Sequence, residues 1–427
     1  MYDLVVIGAG WAGFNAALRA KELGLKVCLI ESEQIGGTCL NRGCIPTKAL
    51  IACAKSFSLI KKSSVFGIES DNPRIDFVKI QERKNKIVLQ LAQGMKAKLS
   101  GIDFIESCAQ IVSPNEIKIK DRSINAKFIL IATGSRPAQL AQLKFDQEKI
   151  ISSDEILSLT QIPPSLLIVG GGVIGCEFAS LFNILGSKVA IAEKMPNLLP
   201  GEDQDLARKI EVVFKKKGIE VSTGVDIATL NMQDYSKILV CVGRTPNTAG
   251  LGLEEIGVKL EKNRIVIDDY LKSSVDNIYA AGDCASRIML AHYAAYQGKV
   301  AAENIALNNK LKADNSIVPA CIFTEPQISS VGLNEEKASA CGIEVKVHKF
   351  DFRGSAMAWI IDETEGFIKV IINSQTQEVI GANIIGPLAS ELIAIFTMAV
   401  SLHLTASQIR AIIFAHPSLS ESIQEVF

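Results

Sequence analysis

The chain has 427 residues, which at roughly 150 residues per domain points to about three domains. Apolar residues make up 48% and aromatics only 6%, the aliphatic balance of an α/β core. Formal net charge is −1 and the lysines and arginines are spread along the chain, so no basic face for nucleic acid or for a lipid surface is expected.

The first ten residues, "MYDLVVIGAG", carry no basic n-region and no small-residue cleavage site, so no signal peptide is expected and a cytoplasmic location is. A β-branched run there leads into Gly8-x-Gly10-x-x-Gly13, a helical pattern, and a second strand, "KVCLIE", ending at Glu31. The motif gains its force from that strand–helix setting and from an acid 18 residues after the third glycine. Gly8 permits a tight turn, Gly10 lets a pyrophosphate approach the helix N-terminus, and Gly13 allows close helix–strand packing. Glu31 would accept hydrogen bonds from ribose hydroxyls.

Next comes "GGTCLNRGCIPTK", residues 36–48, with Cys39 and Cys44 five apart. Residues at that spacing stand about 140° apart around a helix, so the two cannot bond across a regular one. Gly43 and Pro46 could distort the first turn enough to let them meet, and a helix N-terminus favours a thiolate. A structural disulfide, a zinc site and two unrelated buried cysteines compete with a redox pair. Zinc would need four ligands, and no second Cys or His pair exists, so no metal is expected. The other eight cysteines are scattered singly and read as small buried hydrophobes in a reducing compartment.

"FILIATGSRP" (128–137) is a continuous aliphatic strand reaching Thr133 and Gly134. The opening pattern then recurs: "SLLIVGGGVIGCEFASLFNILGSKVAIAE" gives Gly170-x-Gly172-x-x-Gly175 and, again 18 residues on, Glu193. Two such units imply two dinucleotides that exchange electrons, which favours the redox reading of the cysteines. A carboxylate at Glu193 accepts a ribose 2′-hydroxyl and repels a 2′-phosphate, and only Lys194 is basic nearby, so NAD(H) is expected over NADP(H). "ILVCVGRTPN" (238–247), with Gly243, and "NIYAAGDCA" (277–285), with Asp283, also read as buried parallel strands, whose C-terminal ends bind ligands. Two stretches, 156–176 and 392–409, lack charges for about a bilayer span, but both read as buried soluble elements and no membrane is expected.

Past about residue 315 the texture becomes α+β. "GFIKVIINSQTQEVIGANIIG" reads as two antiparallel strands, and "SELIAIFTMAVSLHL" and "TASQIRAII" as helices. Of four histidines, His403 reads as core on an apolar helix, His348 as exposed strand and His292 as structural. His416 is the candidate for proton transfer, the ordinary work of an imidazole near neutral pH. Ser418-x-x-Glu421 is a capping-box pattern, so Glu421 either bonds the Ser418 amide or orients His416.

Taken together, "GAGWAG", "GGTCLNRGCIPTK", "ATGSRP", "GGGVIGCEF", "VGRTPN", "YAAGDC", "LAHYAAYQGKVAAENI", "FTEPQISSVG" and "HPSLSE" resemble the disulfide-reductase flavoproteins of the class I pyridine nucleotide-disulfide oxidoreductase family, most closely its dihydrolipoamide dehydrogenases. The resemblance spans nearly the whole chain. It implies an α/β fold of two Rossmann-like domains, for FAD and NAD, and a C-terminal α+β dimerisation domain. The expected divisions are 1–145 and 263–314 for FAD, 146–262 for NAD, and 315–427 for dimerisation. It implies that Glu31 meets the FAD adenosine ribose, that Thr133, Gly134 and Asp283 lie along FAD, and that Lys48 and Glu177 pair near the flavin rather than standing as two solvated charges. Cys39 would be the interchange thiol, Cys44 the thiol against the flavin, and His416 with Glu421 the base, reaching the cysteines across a homodimer. Electrons would pass from dihydrolipoamide, or a lipoyl-bearing protein, through the disulfide and FAD to NAD+.

Glutathione-type reductases, mercuric reductase and a non-catalytic flavoprotein scaffold in a multienzyme complex are the rivals. Mercuric reductase carries a C-terminal cysteine pair, and here no cysteine follows Cys341. The segment before the strand at 238 is short for the family, and the chain stops six residues after Glu421, so a trimmed NAD domain without a C-terminal tail is expected.

Overall fold

The computed structural model describes residues 1–308 and 311–427. Strand β1 (Tyr2–Ile7) turns tightly into helix α1 (Trp11–Glu22), and β2 (Val27–Glu31) returns parallel to β1 with Ile7 opposite Ile30. Val5, Val6, Leu29 and Ile30 are all fully buried, as a parallel sheet covered on both faces requires. Two helices follow, α2 (Gly37–Arg42) and α3 (Cys44–Lys61), then α4 (Phe77–Lys98), capped by Asp76. Strands β3 (Asp103–Glu106), β4 (Gln110–Ser113), β5 (Glu116–Ile119) and β6 (Arg122–Ile131) complete a sheet of order β3-β2-β1-β6-β5-β4.

After β7 (Ser135–Pro137) the plan repeats. Strands β8 (Ile150–Ile151), β9 (Ser165–Val169), β10 (Lys188–Glu193), β11 (Glu220–Thr223) and β12 (Lys237–Val240) form a parallel sheet of order β11-β10-β9-β12-β8. Helix α5 (Val173–Ile184) joins β9 to β10, and α6 (Gln204–Lys216) joins β10 to β11. Between β11 and β12 lie two short 3-10 turns, Ile227–Thr229 and Met232–Asp234, with no strand, in line with the brevity of that segment. Strand β13 (Arg244–Pro246) pairs antiparallel with β7 and so ties the two units together. A short hairpin, β14 (Leu260–Glu261) and β15 (Arg264–Ile265), leads to β16 (Ile278–Ala280), which returns to the first sheet beside β6. Helix α7 (Ala291–Leu307) then packs against α1.

The last unit is antiparallel. Strands β17 (Ala320–Ile322), β18 (Gln327–Gly332), β19 (Val345–Asp351), β20 (Phe367–Asn373) and β21 (Val379–Gly386) pair in the order β17-β18-β21-β20-β19. Helices α8 (Glu335–Ala340) and α9 (Ala356–Ile360) fall among them; α10 (Ala389–Ser401), α11 (Ala406–Arg410) and α12 (Ser422–Glu425) follow. Helix α10 lies against β18 and β21 and buries Leu392, Ile393, Phe396, Ala399 and Val400. One apolar cluster runs from α3, β9, α5 and α6 into Ile322, Ile328, Phe367 and Ile385, so the units share a core. At the same junction Lys369 of β20 is buried and meets Asp203 at 2.7 Å, Asp205 at 3.2 Å and also Glu335.

Among the described residues, the helical stretch long and apolar enough by length and composition to cross a membrane is Gly37–Lys61. It holds the cysteine pair, is interrupted at Gly43, and sends Leu50 and Ala54 into the shared core.

His403 is not a core residue. Helix α10 ends at Ser401, and His403 takes a left-handed conformation (φ 54°) that turns the chain back, leaving its side chain exposed with Nδ1 3.8 Å from Glu378. His348 does lie on a strand, β19, but half-buried, with Nδ1 3.2 Å from the Val426 carbonyl. Nor are all the single cysteines buried: Cys108 is exposed between β3 and β4, Cys341 is exposed at the C-terminal end of α8, and Cys53, Cys241 and Cys321 are only partly buried.

Candidate active site

The two glycine turns are built alike, because each must bring a strand end and a helix start into contact. Gly8 has φ 103°, and a Cβ on Gly13 would stand 1.8 Å from the Gly8 carbonyl oxygen. In the second unit a Cβ on Gly175 would stand 2.0 Å from the Gly170 oxygen. Neither α1 nor α5 has a side chain capping its N-terminus, and neither has an acid in its first turn. Their first amides are therefore free for an anion, and the helix dipoles favour one. The residues fit a dinucleotide pyrophosphate at both places.

Glu31 and Glu193 occupy equivalent strand ends and are both mostly buried. The Ala9 amide donates to Glu31 at 2.7 Å, and the Glu33 amide at 2.9 Å. The Gly171 amide donates to Glu193 at 2.5 Å, and the Met195 amide at 2.7 Å. Each carboxylate thus braces its own glycine turn with a set of backbone donors, and the lone pairs that remain are available to ribose hydroxyls.

Thr133, Gly134, Gly243 and Asp283 gather at the C-terminal ends of β6, β12 and β16. Thr133 donates to the Asn247 carbonyl at 2.6 Å, and the Asn247 amide donates to the Gly134 carbonyl at 2.9 Å. Ser135 donates to Asp283 at 2.5 Å. Arg244 donates from Nε to the Ser135 hydroxyl and from its fork to the Ser135 carbonyl, both at 2.7 Å. Burial holds the Arg244 guanidinium below its ordinary range, against the pull of Asp283 and Asp154. Sequence reasoning named neither Ser135 nor Arg244 for a role. Their signal was the pair "SRP" and "VGRTP", which the fold zips together as β7 and β13.

The cysteine pair lies on a broken helix. Gly43 has φ −146° and ψ −117°, outside the helical region, so α2 stops at Arg42 and α3 starts afresh at Cys44. The distortion expected in a first turn is therefore a full break, and it brings the two thiols together as a dithiol. Cys39 is half-buried and Cys44 accessible. The Cys44 thiol is lowered to about 7, first by a hydrogen bond from Cys39 and then by the Lys48 charge, with burial opposing. Cys39, the donor in that bond, is pushed well up by it and by burial. The shared hydrogen bond thus acts on the two thiols in opposite directions, lowering Cys44 and raising Cys39.

Lys48 and Glu177 are joined as the motifs imply. Lys48 Nζ lies 2.8 Å from both carboxylate oxygens of Glu177, which is nearly fully buried, and the Phe323 amide donates to the same carboxylate at 2.9 Å. The ammonium also stands 4.8 Å over the Phe323 ring. Helix α5 of the second unit and the "FTEP" loop of the third thus fix a cation one turn past Cys44. Such a buried pair persists because removing either partner strands the other charge.

His416 lies after α11, in the last unit, before a cis peptide to Pro417. Its Nδ1 is 2.7 Å from Glu421 Oε1, while the Ser418 amide donates to Glu421 Oε2 at 2.6 Å. The capping box and the imidazole–carboxylate contact therefore coexist. The hydrogen bond to His416, and next the Ser418 amide, hold the Glu421 carboxyl below the usual range. The imidazole is 74% exposed, and among the described residues it makes no hydrogen bond or ion pair with either cysteine. His292 stands at the start of α7, with Nε2 2.8 Å from the Pro319 carbonyl.

Residues 2–298 match the family described as pyridine nucleotide-disulphide oxidoreductase, and residues 318–427 match the dimerisation domain of that family. The chain is 35% identical to a dihydrolipoyl dehydrogenase of Bacillus subtilis, over 99% of this chain and 97% of that one. It is 38% identical to a dihydrolipoyl dehydrogenase of Chlamydia muridarum, over 98% of this chain and 95% of that one. Among solved structures it is similar to LpdA from Mycobacterium tuberculosis, with a TM-score of 0.91 and 29% identity over 99% of this chain and 98% of that one.

Proposed function

The chain belongs to the pyridine nucleotide-disulphide oxidoreductase family, and from that premise we propose that it oxidises dihydrolipoamide to lipoamide, with NAD+ as the final acceptor and a lipoyl-bearing protein as the natural carrier. The observation that carries this reading is the thiol pair split by Gly43, one turn before a lysine held by Glu177, with Cys39 and Lys48 both lowering the Cys44 thiol. A thiolate at neutral pH beside a second thiol is a dithiol poised for exchange.

One thiolate of dihydrolipoamide attacks Cys39 Sγ. The Cys39–Cys44 bond breaks, and its electron pair goes to Cys44, where the hydrogen bond and the Lys48 charge receive it. The second substrate sulfur then closes the lipoamide disulfide and expels Cys39, which takes up a proton. His416, oriented by Glu421, takes the proton of the first substrate thiol and releases it to solvent, then takes that of the second and returns it to the leaving Cys39 sulfur. FAD, when bound, supplies the two-electron relay between the dithiol and NAD+. Gly8, Gly10, Gly13, Glu31, Thr133, Gly134 and Asp283 would hold it, with the Lys48–Glu177 pair beside it. Gly170, Gly172, Gly175, Glu193 and Gly243 would hold NAD. Residues 1–145 and 263–314 serve FAD in this reading, 146–262 NAD, and 315–427 dimerisation.

The matched dimerisation domain supports a homodimer. In the same region Trp359, Ile360, Met398, Leu402 and Ile413 are exposed apolar side chains, the last 95% so. His416 is three residues from Ile413, so pairing of two chains there would carry each imidazole into the contact. The deciding experiment is a substrate panel with the flavin-loaded enzyme. NADH formation from dihydrolipoamide, abolished in Cys39→Ser with FAD retained, is the expected result. Full activity in both Cys39→Ser and Cys44→Ser would sink the reading.

A further inference from the structure

Residues 194–203 join Glu193, at the end of β10, to Asp203, which caps α6. Lys194, Met195, Pro196 and Asn197 are exposed, but Leu198 and Leu199 are buried against the second glycine turn. A Cβ on Gly171 would lie 2.6 Å from Leu198 Cδ2, and the Leu199 amide donates to the Gly171 carbonyl at 2.8 Å. Leu199 makes that bond from the left-handed region, at φ 51°. A large side chain stays there only where its surroundings over-determine it. In a trans peptide the N–H points opposite to the carbonyl. With the Gly171 carbonyl held by this segment, the Gly172 N–H is turned the other way, and among the described residues nothing accepts it.

The far end of the segment is held by the third unit, which matches the dimerisation domain. The Ser330 hydroxyl of β18 donates to Glu202 at 3.0 Å, and the Glu202 amide donates to the Leu199 carbonyl at 3.1 Å. Lys369 of β20 meets Asp203 at 2.7 Å, with both side chains nearly fully buried. Gln204 meets Glu336 of α8, and Lys349 of β19 stands 3.6 Å from Asp205. Each residue from 202 to 205 is therefore gripped by the third unit, just beyond the bond that holds the glycine turn.

We propose that residues 194–203 are a strap through which the third unit positions the NAD glycine turn, with Ser330, Asp203 and Lys369 as positioning residues for NAD(H). The inference rests on the second glycine turn being the NAD site. Loss of the grip frees the end of the strap, lets Leu199 leave its left-handed conformation, and releases the Gly171–Gly172 peptide to rotate. The Gly172 donor is then no longer preset for a pyrophosphate, and binding has to order it first. By linkage, a nucleotide that gains from the strap must steady it in return. The cysteine pair lies in the first unit, outside this chain of contacts, so its chemistry is unaffected.

The probe is ADP-ribose, the part of NAD without nicotinamide, which a flavin can neither oxidise nor reduce. In FAD-loaded enzyme the first turn is filled, so ADP-ribose reports on the second. In Asp203→Asn/Ser330→Ala its Kd by calorimetry and the KM for NAD+ should both rise, roughly three- to tenfold, with kcat and the KM for dihydrolipoamide unchanged. Asparagine keeps an oxygen for the Asp205 and Leu206 amides, so the α6 cap persists. Ser330→Thr keeps the hydroxyl and should bind as the parent does. Lys217→Met controls for general loosening: Lys217 also ties the second unit to the third, through the Glu325 carbonyl at 2.8 Å, but not through the strap. It should lower Tm and leave the Kd in place. Another readout needs no variant: hydrogen exchange at the Leu199 amide should slow when ADP-ribose saturates the parent. A parental Kd in Asp203→Asn/Ser330→Ala, an equal rise in Lys217→Met, or exchange at Leu199 indifferent to ADP-ribose would overturn the inference. If the double variant does not load FAD, the Kd of Ser330→Ala alone decides. If ADP-ribose binds parent and variants equally, only this inference fails. If it does not bind the FAD-loaded parent at all, the placement of NAD fails with it.

Discussion

His416 Nδ1 and Glu421 Oε1 lie 2.7 Å apart, while the other oxygen of the same carboxylate takes the Ser418 amide at 2.6 Å. The backbone bond fixes where the carboxylate is, and the carboxylate fixes the imidazole tautomer. Glu421→Gln presents one oxygen and one NH2 to these two donors, so one contact must be lost. We expect kcat with dihydrolipoamide to drop roughly 10- to 100-fold, the range for losing an orienting partner. NADH oxidation by an artificial acceptor should not change. Equal losses in both assays would mean that Glu421 supports the fold and not the imidazole.

The Cys44 thiol, ordinarily near 9.0, is lowered to about 7. Its anion should therefore be present above about pH 7 in the reduced enzyme and be lost as the pH falls through that value. Cys39→Ser replaces the thiol whose hydrogen bond lowers Cys44 most, and should shift the alkylation profile of the reduced enzyme upward. Lys48→Met removes the cation and should shift it upward too. A profile centred near 9 in the unaltered enzyme would show that the pair does not share a charge in this way.

The strands, the two glycine turns and the cysteine motif were legible because each depends on residues close in sequence. The continuous aliphatic runs at β1, β6, β9 and β12 read as buried parallel strands and are buried, and Gly13 and Gly175 stand where helix and strand meet closely. What was not legible depends on where distant segments meet. Ser135 and Arg244 matter because β7 and β13 pair across more than a hundred residues. His403 was misread because the apolar run of α10 continues in the sequence past the point where the backbone turns left-handed. A periodicity cannot show a helix end that lacks glycine or proline. The Glu421 alternatives stayed open because a sequence pattern names possible partners and not how many a carboxylate serves at once.

Lys369 is 2% exposed, and its nearest buried counter-charge, Asp203, caps the start of α6 in the second unit. Burial alone would lower the ammonium, but hydrogen bonds to Asp203 and Glu335 overcome it and raise it. Lys369→Met strands the Asp203 carboxylate and should cost about 3–5 kcal/mol, seen as a lower Tm. Adding Asp203→Asn should recover part of that loss. A single variant as stable as the parent would mean that Asp203 is satisfied without Lys369, by the Asp205 and Leu206 amides that already donate to it.

Glu193 ends β10, with Gly171 and Met195 amides holding its carboxylate beside the second glycine turn. A 2′-phosphate brought there would meet a buried negative charge, and Lys194 is the only base in the next several residues. The kcat/KM ratio should favour NAD+ over NADP+. Glu193→Ser should reduce the preference mainly by weakening NAD+, since it removes the acceptor and adds no cation. A parent enzyme that prefers NADP+ would contradict the reading of this strand end.

His416 belongs to the last unit and the cysteines to the first, and within one chain no hydrogen bond or ion pair among the described residues joins them. If each active site draws its cysteines from one protomer and its imidazole from the other, two inactive variants should complement each other. Cys39→Ser and His416→Ala homodimers are each expected to be dead. A mixed dimer has one site with both lesions and one with neither, so roughly half of the parental activity per dimer should return. If each chain builds its own site, every site in the mixed dimer carries one lesion and nothing returns. The mixing must be verified, with distinguishable tags on the two chains and purification through both. Ile413→Asp, placed on the exposed apolar surface near His416, is the companion variant. It should convert the dimer to monomer by light scattering and remove lipoamide turnover while FAD remains bound. Full lipoamide activity in a proven monomer would end the shared-site hypothesis.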